Sequence, residues 1–185
     1  MKEQTKRFIA YLNLLGVKID SRSFADRIKA QKLAYILQKL TGKQLYDDFN
    51  FYVRGPYSHE LAVEYFNSSK DFVNGNSDSY RIIKDDYEEI ERAKQLINAL
   101  SQTDLEIVAS LLYLRKDIGL DENNAELKLK WRKPHLKEED IWRGSNIIKK
   151  MFLTDKIRIA IMNSLQKEIG EWDDVSNENL KRFGQ

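Results

Sequence analysis

Residues 26–42 read DRIKAQKLAYILQKLTG. Apolar side chains fall on every side of a helix drawn through LAYIL, residues 33–37. A helix that is apolar all round must be surrounded by protein, so this segment predicts a central core helix with Leu33, Tyr35 and Leu37 buried. The helix is expected from about residue 23 to 41, with Gly42 just past its end. Its charges, Arg22, Asp26, Arg27, Lys29 and Lys32, crowd into the first half.

On the N-terminal side, Phe8, Ile9, Leu12 and Leu15 recur at helical spacing from about residue 2, and Gly16 ends the run. On the C-terminal side, FNFYV (49–53) alternates and is aromatic-rich, which predicts a strand. RGPYSHEL (54–61) then turns the chain into a helix expected over 59–67, with Leu61, Ala62, Tyr65 and Phe66 toward the core. FVNGNSDS (72–79) has loop chemistry. YRIIK (80–84) predicts a second strand, antiparallel to the first, because a lone strand leaves its ladder groups unpaired. Further helices are expected over 86–100, from a Thr103 cap to about 114, and over 138–152. Another is expected from a Thr154 cap to Gly170, and 124–132 is helical or extended. The fold class is mostly α, a multi-helix domain around one buried helix with a small two-stranded antiparallel β element. One domain is expected over 1–170, with a polar tail over 171–185.

The chain has 185 residues, 42% hydrophobic and 32% charged, a globular composition long enough to bury a core. No apolar run approaches the roughly 20 residues that span a bilayer. The first residues read as a helix and not a signal peptide, so a cytoplasmic location is expected. There is no cysteine, which excludes disulfides, thiol nucleophiles and Cys-based zinc sites. Net charge is +2 but uneven: residues 1–45 hold 10 Lys+Arg against 3 Asp+Glu, and residues 46–100 hold 6 against 11. The basic quarter could attract an acidic partner or a nucleic acid, or pair with the acidic segment beside it.

Catalytic patterns are missing. The two histidines, His59 and His135, stand in no HxxxH or HExxH spacing, and there is no P-loop, no GxGxxG and no nucleophile elbow. No cofactor and no metal are expected, and an enzyme is disfavoured. Within RGPYSHEL, Gly55 and Pro56 read as a sharp turn and Ser58 as a helix cap. Tyr57 is not explained by the turn; it packs on the central helix or meets a partner. Tyr57 and His59 are therefore the candidate protein-contact residues.

The pairing of DRIKAQKLAYILQKLTG with FNFYVRGPYSHELA, together with LKWRKPHL (129–136), resembles the SocA-like antitoxin family, or Panacea domain, and its YwgA-like neighbourhood. Lys29, Gln31, Lys32, Leu33 and Tyr35 match the family helix, and Gly55, Pro56, Tyr57 and Ser58 match its corner. The resemblance implies a mostly helical fold that binds protein, an antitoxin that neutralises a toxin partner or delivers it to a protease. An alternative is a winged-helix-like nucleic-acid binder using Arg22, Arg27, Lys29 and Lys32, opposed by Glu60 and Glu64 on its would-be recognition helix. A third reading is an enzyme using His59, Tyr57 and an acid from DYEEIE (86–91).

Overall fold

The computed structural model describes residues 1–153 and 163–167. The chain divides into two units, 1–151 and 152–185. In the second, residues 163–167 are helical; the rest of the helix expected over 154–170, and the tail, lie outside the described residues. No helix among the described residues is long and apolar enough to cross a membrane.

The first unit contains α1 (Glu3–Leu15), α2 (Phe24–Thr41), β1 (Asn50–Tyr52), β2 (Gly55–Tyr57), α3 (His59–Asn67), α4 (Ser69–Asn74), α5 (Lys84–Asn98), α6 (Gln102–Lys116), α7 (Glu122–Arg132) and α8 (Glu138–Met151). The mostly α class with one small antiparallel sheet is as expected. Helix α2 is central: it packs on α3, α5, α6 and β2, and α6 in turn carries α7 and α8. Leu33, Ala34, Tyr35, Ile36 and Leu37 are all fully buried. The Ser23 hydroxyl caps α2 by accepting from the Asp26 amide. The Tyr35 hydroxyl donates to Asp117 at 2.5 Å, so even the polar tip of this core residue is satisfied.

The second strand is not where its pattern placed it. YRIIK forms no strand; Ile83 instead precedes the first turn of α5. The partner of β1 is β2, with Asn50 opposite Tyr57, Phe51 opposite Pro56 and Tyr52 opposite Gly55. Closing a hairpin over the two residues Val53 and Arg54 costs far less chain entropy than closing a loop to residue 80. Residues 69–74 are helical rather than loop, because Phe72 is buried edge-on to Phe8, with ring centres 6.0 Å apart. Helix α6 starts at Ser101, not Thr103: Ser101 and Asp104 form a reciprocal capping box. Phe66 points to solvent, while Glu64 of the same helix is buried and accepts a hydrogen bond from Thr5 at 3.0 Å.

Candidate functional site: an aromatic and arginine face around the hairpin

The two sequence motifs meet in one hydrogen-bonded joint. The Gln31 side chain brackets the Ser58 backbone, accepting from its N–H at 2.8 Å and donating to its carbonyl at 2.9 Å. One residue further along α2, Lys32 Nζ donates to the Pro56 carbonyl at 2.7 Å. The paired Gln-Lys of α2 thus takes the place of a third strand along the hairpin corner. Ser58 caps α3 by accepting from the Leu61 amide at 2.9 Å. Asp48 reinforces that cap, accepting from the Ser58 hydroxyl and from the Glu60 amide at 2.9 Å. Burial works against ionisation of Asp48, but the bonds from Ser58 and the Glu60 and His59 amides outweigh it and hold its pKa below the usual value. Ser58→Ala is expected to cost about 1–2 kcal/mol in urea unfolding, as loss of a helix cap does.

Asp47, Asp48 and Glu60 bring carboxylate oxygens within 4.8 Å of one another, the one such cluster among the described residues. Both Asp48 oxygens serve the cap, and Glu60 accepts from Lys2 and Gln4. Asp48 and Glu60 thus brace the start of α3.

The outer surface of the joint is of opposite character. Between the first turns of α2 and the hairpin lies a slot of about 440 Å³. Phe24, Ile28, Tyr52, Val53 and Tyr57 line it, together with the stems of the long polar residues Arg27 and Arg54. Tyr57 is half-buried and packs edge-on to Tyr52 at 5.3 Å between ring centres. Val53, at the hairpin tip, is 90% exposed. The guanidiniums of Arg27 and Arg54 both lie over the Phe24 ring, at 5.4 and 5.5 Å, and Arg27 also covers Phe66 at 5.8 Å. On the far side of the hairpin a second groove is formed by Phe51, Trp131 and Arg132, with Tyr52 and Val53 as the shared ridge. Arg132 lies 4.9 Å over Phe51, and Trp131 is 74% exposed.

Beneath the hairpin the charges do not balance. Lys32 and Lys133 are both buried, and Lys133 pairs with Glu106 of α6. The Lys32 amine is pushed down to about 7, chiefly by burial; Glu106 opposes the shift, while Lys133 and Arg54 add to it. Below pH 7 the amine is charged in both folded and unfolded chain, and the cost of burying it is carried in full. Between pH 7 and about 10 the unfolded chain holds the proton and the folded chain does not, so the contribution of Lys32 to stability rises with pH. Lys32→Met is expected to gain most over the parent near pH 6. That advantage should shrink by at least about 1 kcal/mol by pH 9.5 in paired urea titrations. An advantage that does not move with pH would show that the amine is hydrated.

Of the residues singled out from sequence, Tyr57 and Gly55 line the slot, while Pro56 and Ser58 are buried beside it and bonded to Lys32 and Gln31. His59 is exposed at the start of α3 and is not part of the slot lining. The four cations of the nucleic-acid reading do not form one surface. Lys32 is only 2% exposed and bonded to Pro56, so it is closed to a phosphate. Arg22 is held by Asp20 at 2.7 Å, and Arg27 donates to the Ser21 carbonyl at 2.7 Å; Lys29 is partly exposed. Within DYEEIE, Asp86 is buried and accepts from Tyr11, which engages it away from any reaction with His59. Sequence reasoning passed over Phe24, Tyr52, Val53, Arg54, Trp131 and Arg132 as site residues. The signal was present in Val53, an apolar residue at a turn position where polar residues or glycine are usual. Comparison with protein-family models, curated proteins and solved structures returned no significant match.

Proposed function

We propose that the chain is a non-enzymatic protein-binding module of the SocA-like antitoxin kind, acting in the cytoplasm on a toxin-like protein that it neutralises or delivers. The observation that carries this reading is the hairpin face. Tyr52, Val53, Phe24, Phe66 and Trp131 are exposed, interleaved with Arg27, Arg54 and Arg132, over a base fixed by Gln31 and Lys32. Contiguous exposed apolar surface marks interaction sites, and Tyr, Trp and Arg are the residues that dominate interface energetics. The motif resemblance points the same way, because both halves of the motif converge on this joint. The winged-helix alternative has less support: two of its four cations are engaged with protein groups other than a free surface, Lys32 in the interior and Arg22 with Asp20.

The test is co-expression with a small toxic protein encoded beside this one. Growth is expected to be restored by the parent chain and not by Tyr57→Ala, at equal folded protein measured by circular dichroism. Restoration by Tyr57→Ala in proportion to its folded fraction would make Tyr57 a packing residue only. A chain that neither rescues growth nor co-purifies with the neighbouring product sinks the reading.

A further inference from the structure

The charge pattern of the hairpin face narrows what can bind there. Elsewhere on the chain several cations meet acids: Lys2 with Glu60, Lys6 with Asp78, Lys39 with Asp117, Arg143 with Asp104 and Asp140. On the hairpin face the pattern breaks. Among the described residues, Arg27, Arg54 and Arg132 have no acid within ion-pair distance; each lies over an aromatic ring instead. No acidic side chain lines either the slot or the groove across the hairpin, again among the described residues. The ion pair of Lys133 with Glu106 lies beneath the hairpin, so the unpaired charge of this face is carried by the arginines. Arg54 and Arg132, lying over aromatic rings, present their N–H edges to a carboxylate, while Arg27 spends Nη1 on the Ser21 and Arg22 carbonyls and offers its remaining N–H groups.

The slot itself asks for something different from an anion. Its walls are the rings of Phe24, Tyr52 and Tyr57 and the aliphatic side chains of Ile28 and Val53, and about 440 Å³ is room for one large side chain. Apolar wall and cationic rim together describe a ligand with an apolar anchor flanked by carboxylates.

We propose that this face recognises an acidic segment of a partner protein carrying a large apolar anchor, the anchor entering the slot and its flanking carboxylates meeting Arg27 and Arg54 on one side of the Tyr52–Val53 ridge and Arg132 on the other. The proposal rests on the protein-binding reading and specifies its partner. It places the specificity of the module in three arginines and the affinity in the slot, since apolar anchors dominate binding energy while rim charges set partner choice and encounter rate.

The experiment is selection from a random 12-residue peptide library displayed on phage, with the purified chain as bait and Val53→Asp as counter-bait. Val53 is exposed at a hairpin tip, so this variant should melt with the parent; Arg54→Glu and Arg132→Glu are exposed second variants that keep the test open if it does not. Enriched peptides are expected to combine Trp, Phe or Leu with at least two Asp or Glu. They should bind Arg54→Glu at least tenfold more weakly than the parent, and weaken as salt is raised about sixfold, from roughly 50 to 300 mM. A labelled oligothymidine strand is measured in parallel by anisotropy, because aromatic and arginine surfaces also stack bases. Peptides of neutral or basic composition that still need Val53 would overturn the acidic class and leave the protein-binding reading standing. No peptide sensitive to any of the three substitutions would overturn both. Oligothymidine binding tighter than every selected peptide, lost in Arg54→Glu, would overturn both in favour of single-stranded nucleic acid. Self-association of the parent abolished by Val53→Asp would make the occupant a second copy and overturn the proposal.

Discussion

Gly55→Val is expected to lose more than about 3 kcal/mol of stability and with it the binding face. Two independent costs add at this position. Gly55 has φ +85°, a region that β-branched residues avoid. A Cβ there would also clash with Ser110 Oγ, so the Ser110 side chain or the hairpin itself would have to shift. The two costs can be separated. The Ser110 hydroxyl is buried without a hydrogen-bond partner, so Ser110→Ala removes the obstruction and no bond. Gly55→Ala combined with Ser110→Ala should recover the steric part of the loss in urea titrations and leave the backbone part. A Gly55→Val protein that unfolds at the parent's midpoint would show that α6 does not close the corner.

Leu37→Ala is the second large effect, expected at about 2–5 kcal/mol, the range for leucine truncation in a packed core. Leu37 is fully buried in the helix on which α3, α5, α6 and the hairpin all pack. The fall in ΔG by chemical denaturation checks it; a loss under about 0.5 kcal/mol would mean that α2 is not the centre of the fold.

Much of the helical framework was legible because its signals are local. Gly16, Gly42 and the apolar periodicity of α1 and α2 lie within a few residues of the ends they specify. The strand pairing was not, because Val53-Arg54 lacks the Asn-Gly type of signature that marks a two-residue hairpin, while YRIIK has strand composition without a partner edge. Helix α4 was hidden by the Asn-Gly pair of residues 74 and 75, which ends the helix rather than replacing it. The slot could not be read at all from spacing. Phe24 and Arg27 are some thirty residues from Tyr52–Tyr57, and only the Gln31 and Lys32 bonds to Ser58 and Pro56 bring the two sets together. The same bonds explain why charge counting misjudged Lys32: a lysine among other charges on a helix was read as exposed, whereas its amine serves the carbonyl of a residue that the helix pattern cannot see.

The seating of Gly55 against Ser110 has a consequence for how the protein is made. The hairpin leaves the ribosome about 55 residues before the helix that supports it, and Arg132 follows later still. At elongation rates of about 5–20 residues per second, the nascent chain carries its exposed Phe24, Tyr52 and Val53 for several seconds without the surface on which they are arranged. The hairpin face is thus assembled only once translation has passed α7, and a chain cut short before that point lacks the helices that order it.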